Sequence, residues 1–430
     1  MNDWTSTILG ELCQLKGGSG FKTDFQGRES GVYPFIKVSD MNLSGNERKI
    51  HTANNWVSSD DLKQLKAKAH PAGSVVFAKI GIALTYNRRR ILTQPTIIDN
   101  NMMAAISNAE KVDAKFLYYL LTTIDFNLLV KGSALPYINA SDVAAVAVSL
   151  PPLPEQRAIA SILGSLDEKI ELNRRQNATL EQMAQRVFRA WFVDFEPVRA
   201  KVAGIAPACL DPETAALFPD EFDGDLPEGW EIEPLDGVAH FLNGLALQKF
   251  PPVGDETDLP VIKISQLRKG STDDDEKANA KIAQQYKIKN GDVLFSWSGT
   301  LEVRVWNGGE GALNQHLFKV TSERFPKWFY YFWTLHHLAQ FREIAANKAT
   351  TMGHIQRHHL TEAKVWVPNH ELLTRLDEII APLLAQIENN LQQSRTLAAI
   401  RDQLLPRLLS GALRVPDSLL ARDESSLGGA

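Results

Sequence analysis

Two stretches of this chain place apolar residues at steps that alternate between four and three. The first runs Ile159, Leu163, Leu166, Ile170, Asn173, Asn177, Leu180, Ala184, Val187 and Trp191. The second runs Leu376, Ile380, Leu383, Ile387, Asn390, Ser394, Leu397, Arg401, Leu404 and Leu408, each 217 residues after its counterpart. This is the a/d seam of a helix packed along another helix. Roughly 35 residues of helix would span about 50 Å. Two matched seams in one chain can bury each other, so the pattern predicts an intramolecular antiparallel coiled coil. Asn173 with Asn390 and Asn177 with Ser394 repeat as polar slots. They read either as a solvated stretch of seam or as a lock on register. Pro382 is expected to kink the second helix or split off its first turns, and Pro406 to mark its last turn.

Each seam follows a stretch of mixed character. Val32–Val38, Ser74–Ala78 and Val143–Leu150 read as strands bounded by Gly, Pro, Asn and Asp, and Lys115–Leu121 as a short helix. These motifs return. Tyr33-Pro34-Phe35-Ile36-Lys37-Val38-Ser39 reappears as Leu259-Pro260-Val261-Ile262-Lys263-Ile264-Ser265, and Gly73-Ser74-Val75-Val76-Phe77 as Gly291-Asp292-Val293-Leu294-Phe295. Phe116-Leu117-Tyr118-Tyr119-Leu120 reappears as Trp328-Phe329-Tyr330-Tyr331-Phe332, and Trp4 as Trp230. The expected class is α+β: two similar α/β modules separated by two long helices that form an antiparallel coiled coil, with an internal pseudo-two-fold repeat. The expected boundaries are 1–153 for the first module, 154–195 for its helix, 196–229 for a linker, 230–368 for the second module, 369–415 for its helix and 416–430 for a flexible tail. A module repeated with its spacer suits an object that reads two similar things a fixed distance apart.

Composition changes this picture little. Hydrophobic residues make up 44% of the 430 and charged residues 23%, an ordinary globular balance. Cys13 and Cys209 are too few for a disulfide framework and fit a reducing cytoplasm. The N-terminus shows no basic region followed by an apolar run, and no stretch approaches the roughly 18–20 apolar residues of a membrane span, so neither export nor membrane contact is expected. The net charge of −5 runs against tight nucleic-acid binding by the chain alone. Basic residues focused on one face, or a partner that supplies phosphate contacts, would reconcile the two.

No catalytic pattern emerges. Gly17-Gly18-Ser19-Gly20-Phe21-Lys22-Thr23 lacks the spacing of a phosphate-binding loop and reads as a turn. The Pro-Pro pairs at 151–152 and 251–252 follow neither Asn nor Asp, as the base-holding motif of a methyltransferase would require. Asp167-Glu168-Lys169 has a nuclease-like composition but reads as a solvated helix face. His336-His337 and His358-His359 lack a Cys or carboxylate framework, so no metal is expected.

The order of motifs resembles a known family. Pro151-Pro152-Leu153-Pro154-Glu155-Gln156-Arg157-Ala158-Ile159 resembles the start of the first conserved helix in DNA specificity subunits of Type I restriction–modification systems, and Trp191-Phe192-Val193-Asp194-Phe195-Glu196-Pro197-Val198-Arg199-Ala200-Lys201 the stretch after it. Arg401-Asp402-Gln403-Leu404-Leu405-Pro406-Arg407-Leu408-Leu409-Ser410-Gly411 is similar to the end of the second. The likeness covers Trp4 to Val415, although the second copy reads Val367-Pro368-Asn369-His370-Glu371 where the first has its Pro-rich signature. The resemblance implies a non-catalytic subunit whose modules are target recognition domains, each reading one half of a split, asymmetric site on double-stranded DNA. It implies two methyltransferase subunits as partners, docked on the paired helices, and restriction subunits in the larger complex. It implies no cofactor on this chain, S-adenosylmethionine being bound by the methyltransferase. A self-sufficient bipartite DNA-binding regulator is the alternative.

Base edges are read by donors and acceptors, and phosphates are held by Lys, Arg and amides. In the first module the candidates are Lys79, the run Tyr86, Asn87, Arg88, Arg89 and Arg90, and Asn100, Asn101, Tyr137 and Asn139. The arginine run reads equally as a solvated turn. In the second they are Trp297, Arg304, Asn314, Gln315, His316, His354, Gln356 and Arg357. Lys37 and Lys263 recur in both copies, which favours a phosphate contact or a structural role over sequence reading.

Overall fold

The computed structural model describes residues 4–132, 134–273, 275–347, 353–416 and 418–420. The chain divides into two units: residues up to 169 with those from 397 onward, and residues 170–396.

The first unit is organised by strand Val75–Ala78, which is buried along its whole length. Met102–Ser107 and Arg90–Leu92 pair with it antiparallel, and Cys13–Gly17 and Lys49–Ile50 complete a five-stranded sheet. Val75 and Phe77 pack with Phe116, Leu117 and Leu121 of helix Ala114–Thr123, while Val76 packs with Ile36, Leu92 and Ile98. Burial on both faces explains an unbroken apolar run where a half-exposed strand would alternate. Asp113 starts the helix, its carboxylate accepting the Lys115 and Phe116 N–H groups at 2.9 Å. A smaller sheet holds Trp56–Val57, Tyr33–Ile36 and Ile97–Ile98, the last two parallel.

The second unit repeats this plan. Val293–Ser296 lies between Leu317–Thr321 and Val303–Val305, with His240–Asn243 at the edge. Leu259–Ile262 runs parallel to Gly311–Leu313. Helix Lys327–His336 buries Trp328, Phe329 and Trp333 against the sheet and the helices.

The seams lie in two helices, Leu153–Phe188 and His370–Leu409. By length they span about 54 and 60 Å. Within the second unit Asn173 Nδ2 donates to Ser394 Oγ (3.2 Å), Asn390 Nδ2 to Asn177 Oδ1 (2.8 Å) and Asn177 Nδ2 to the Ile387 carbonyl (3.2 Å). As one number rises its partner falls, so the helices are antiparallel. Asn390 is the repeat counterpart of Asn173, and Ser394 of Asn177. The first two bonds are therefore one bond made in both directions, as a pseudo-two-fold axis requires. Asn173, Asn177 and Asn390 are buried, so the polar slots are interhelical hydrogen bonds and not a solvated stretch.

Four readings of the sequence are corrected here. Val143 is not in a strand: the Asp142 carboxylate accepts the Asn139 N–H (3.3 Å) at the start of helix Ala140–Ala144, and the strand begins at Ala147. Pro382 does not split its helix, because Leu376, Ile380 and Leu384 are buried on both sides of it and hold the turn that lacks one hydrogen bond. The segment 196–229 carries helices Glu196–Val202 and Pro212–Ala216 and buries Val198, Thr214 and Phe218. Asp167 is not solvated. It lies 5% exposed, accepting from Tyr119 Oη (2.6 Å) and Arg401 Nη1 (2.7 Å) with Arg48 Nε at 3.4 Å. Most of the expected flexible tail lies outside the described residues. Among those described, no helix is long and apolar enough to cross a membrane.

Candidate nucleic-acid interface

One hydrogen-bond frame is built twice. In the first unit the parallel strands Tyr33–Ile36 and Ile97–Ile98 end together and the chain turns through Asp99-Asn100-Asn101. The Asp99 N–H donates to the Ile36 carbonyl (3.0 Å), its carboxylate accepts the Asn101 N–H (2.9 Å), and its carbonyl accepts the Met102 N–H (3.0 Å). In the second unit Asn314-Gln315-His316 repeats each bond. Asn314 N–H donates to Ile262 (3.2 Å), Asn314 Oδ1 accepts from His316 (3.1 Å) and its carbonyl from Leu317 (3.0 Å). A side chain that bonds the backbone two residues on is the usual way Asp and Asn close such a turn.

The neighbours match too. Lys79 N–H donates to the Asn101 carbonyl (2.8 Å), and Trp297 N–H to His316 (3.3 Å). The carbonyls of Lys79 and Trp297 accept the Ile138 and Ile355 N–H groups, both at 3.0 Å. Tyr137 bridges Ile80, and His354 bridges Ser298. Asn139 and Gln356 each precede a helix whose third residue accepts their N–H. Lys37 and Lys263 each precede a short helix in the same manner, with Asp40 and Gln266 accepting. Gly18 and Gly244 lie so close to the turns that a Cβ would sit 1.9 Å from the Asp99 carbonyl oxygen or 2.2 Å from that of Asn314.

What differs is the side chains mounted on the frame. Asn100 and Asn101 are exposed, as is Tyr137; Lys79 is partly buried. Gln315, His316, Trp297 and His354 are half-buried and touch one another. His316 Nδ1 lies 3.0 Å from Ser298 Oγ, and Trp297 Nε1 donates to Asn243 Oδ1 (3.0 Å) and the Gln315 carbonyl (3.2 Å). The Trp297 ring is 5.9 Å from that of His316 and 6.3 Å from that of His354. Gln315, His316, Asn314 and Lys263 border a depression of about 380 Å³. Lys37 Nζ donates to Gln26 Oε1 (2.5 Å) and stands 5.3 Å over the Phe21 ring, while Lys263 pairs with Glu276. Burial raises the Asp99 carboxyl pKa; the Asn101 hydrogen bonds and the Lys37 charge pull against it. Asn314 puts a neutral group at the same place. Gln356 and Arg357 are exposed, with Arg357 Nη2 donating to the Phe241 carbonyl (3.3 Å).

The arginine run occupies the turn after Lys79, where the path from Lys79 to Asn101 is three residues longer than that from Trp297 to His316. Arg89 does not belong on the surface. It is 3% exposed, donates to Asn87 Oδ1 and the Ile124 carbonyl (both 2.9 Å), and lies 3.6 Å from the Phe126 ring centroid. Burial pushes its pKa down to about 9, which leaves it protonated at neutral pH. Asn87, at φ 56°, spends its amide on Asp125, Arg89 and Phe126, so it too is a framework residue. Arg90 donates to the Met41 carbonyl (3.1 Å). Arg88 is exposed, bonded to Asn42, and stacks at 4.8 Å on the exposed Tyr86 ring. In the second unit Arg304 is exposed and paired with Glu302 (2.5 Å).

Side-chain ligand atoms of His358, His359 and Glu362 lie within 4.8 Å of one another. His359 Nδ1, however, accepts the Gln356 N–H at 2.9 Å. A neutral imidazole has one acceptor nitrogen, and here it is used in the helix cap. Capping therefore accounts for the place of His359 in the cluster.

Asp99, Ile80, Ser298 and Gly244 escaped the sequence reading, and Gly18 entered it only as part of a turn. Their signal was the repeat itself: Ile97 to Met102 matches Ala312 to Leu317 at a shift of 215, while Val75 matches Val293 at 218. The change of shift across the longer turn hides the correspondence.

The sequence profile of the Type I restriction modification DNA specificity domain matches residues 1–182 and 227–401. The chain belongs to this family. It is a Type I restriction–modification specificity subunit with two specificity domains. It is 25% identical to the MjaIX specificity subunit of Methanocaldococcus jannaschii, over 96% of this chain and 94% of the relative. It is 24% identical to the HindI specificity subunit of Haemophilus influenzae, over 96% of this chain and all of the relative. The crystal structure of the S subunit of a Type-I restriction-modification system from M. genitalium has the same fold, with a TM-score of 0.55, 15% identity and coverage of 95% and 96%.

Proposed function

We propose that this specificity subunit reads a bipartite, asymmetric site on double-stranded DNA, one half-site per module, and carries out no chemistry itself. The observation that carries the reading is the repeated frame. Two turns share every framework hydrogen bond and differ in the polar side chains they mount, as readers of two unequal half-sites would. Lys79, Asn100, Asn101, Tyr137 and Asn139 form one reading surface; Trp297, Gln315, His316, His354 and Gln356 form the other. Lys37, Lys263, Tyr86, Arg88, Arg90, Arg304 and Arg357 serve phosphate contacts or hold the frame. The paired helices set the separation and dock two methyltransferase subunits, which bind S-adenosylmethionine, and through them restriction subunits. Cys13 and Cys209 are unpaired, which suits the cytoplasm.

The net charge of −5 fits a subunit that depends on partners for much of its phosphate contact. The test is selection from a random duplex library. The chain assembled with its methyltransferase subunit selects two short half-sites around a fixed unspecified gap, and the isolated chain at physiological salt selects little. Tight, sequence-specific selection by the isolated chain would replace this reading with an autonomous bipartite regulator.

A further inference from the structure

The duplicated frame separates residues that hold the turn from residues the turn presents. The first residue of each turn, Asp99 or Asn314, is buried at 8% exposure and spends its side chain on the backbone two residues on. That bond ties the side chain into the turn, although Asn314 also borders the depression beside Lys263. The third residue of each turn has its backbone groups fixed by the frame: Asn101 and His316 give their N–H to that side chain, and their carbonyls accept from Lys79 or Trp297. The Asn101 side chain also bonds Asp99 and the His316 ring meets Ser298 Oγ at 3.0 Å, and the rest of each pair lies at the surface. Asn100 and Asn101 are exposed, and Gln315 and His316 edge the depression beside Lys263.

We propose that Asn100–Asn101 and Gln315–His316 are corresponding specificity determinants, so that each pair fixes base identity at equivalent positions of its own half-site. The chemistry suits the role. A carboxamide stands second in both turns, and Asn or Gln can pair bidentately with the N6 and N7 edge of adenine. The third position carries an amide in one module and an imidazole in the other, so the half-sites should differ most there. Because the frame is the same, each pair is transferable: the backbone that presents Gln-His accepts Asn-Asn, and the reverse. Side chains in this turn would otherwise be free surface, and exchange would change nothing.

This inference rests on the bipartite reading above. It is tested by the same duplex selection, using complexes assembled from wild-type chain, N100Q/N101H and Q315N/H316N. The expected result is that N100Q/N101H changes base preference at one or two positions of one half-site, leaving the other half-site and the gap as in wild type. Q315N/H316N should change the other half-site alone. Affinity for the wild-type site should fall about ten- to a hundredfold in each. His316 also meets the buried Ser298 hydroxyl, so melting temperature is measured alongside; N100Q/N101H alters exposed positions and decides the matter if the second variant melts early. Unchanged selection by folded N100Q/N101H, or a loss of preference in both half-sites together, overturns the inference. Failure of wild-type complex to select a two-part site would instead overturn the reading on which it rests.

Discussion

Replacing Asp167 tests whether the first module is held to the helices by buried charge. The Asp167 carboxylate faces Tyr119 Oη, Arg401 and Arg48 while itself 5% exposed. Burial alone works against the charge on Arg401, but its bonds to Asp167 and Asp402 raise its pKa; burial and the Asp167 charge raise that of the Tyr119 hydroxyl. At the matching repeat positions in the second unit stand Leu384 and Ala184, both buried in an apolar core. D167L leaves two guanidinium groups without their carboxylate and a phenol without its acceptor. Removing one partner of a buried pair costs about 3–5 kcal/mol. Arg401 is 29% exposed and keeps Asp402 at 2.7 Å, so the lower end, about 3 kcal/mol, applies. R401A leaves Asp167 with Tyr119 and Arg48 and should cost about 1.5–3 kcal/mol. D167L/R401A copies the apolar solution of the other end, and although Arg48 remains, its cost should be less than the sum of the singles by about 1–3 kcal/mol. The assay is hydrogen exchange read by mass spectrometry on peptides within 153–169 and 397–409. The expected acceleration is about a hundredfold for D167L, and less for the double variant. Wild-type exchange in D167L, or strict additivity in the double variant, refutes the reasoning.

Four further outcomes are expected. R414A strips the 4%-exposed Glu155 of a two-pronged partner at 2.7 and 3.0 Å, leaving it the Trp4 indole; hydrogen bonds to charged groups are worth about 1.5–3 kcal/mol, and a melting curve of the first unit should show that loss. N390L orphans Asn177 Oδ1 and should cost about 1–3 kcal/mol in denaturant unfolding, while N177L/N390L should recover much of it but weaken the register. G18A forces a Cβ into the Asp99 carbonyl and should abolish selection at one half-site of the DNA while the other half-site persists, read by duplex selection. His70 is held below the ordinary histidine pKa by burial, so the unfolded chain binds its proton more readily. That contribution to stability is present above about pH 6.5 and is lost as the pH falls below it. H70Q should flatten the acid limb of melting temperature against pH.

The helices and the modules were legible because their signals are local and repeated. A 4-3 seam of ten positions survives in the sequence however the rest folds. The strand at Val75–Ala78 announced itself as an apolar run between Gly73 and Lys79. Other features depend on distance that the sequence does not display. Asp167 looked solvated because its partners Tyr119 and Arg401 lie 48 and 234 residues away. Arg89 looked like part of a basic run until Phe126 and Ile124 enclosed it. Val143 has strand propensity, yet the Asn139–Asp142 cap starts a helix through it, an instance of local hydrogen bonding overriding propensity. The equivalence of Asp99 to Asn314 was masked because the path from Lys79 to Asn101 is three residues longer than that from Trp297 to His316. The sequence offered Asn314 and the exposed turn residues as candidates, but it did not show that Asp99 and Asn314 hold the same place in a repeated frame.

Modified-base sequencing of DNA from cells co-expressing this chain with its methyltransferase subunit tests the central claim most directly. The expected result is a single methylated motif of two unequal short half-sites separated by a fixed gap of unspecified bases. A continuous motif, or no motif from a properly assembled complex, would contradict it.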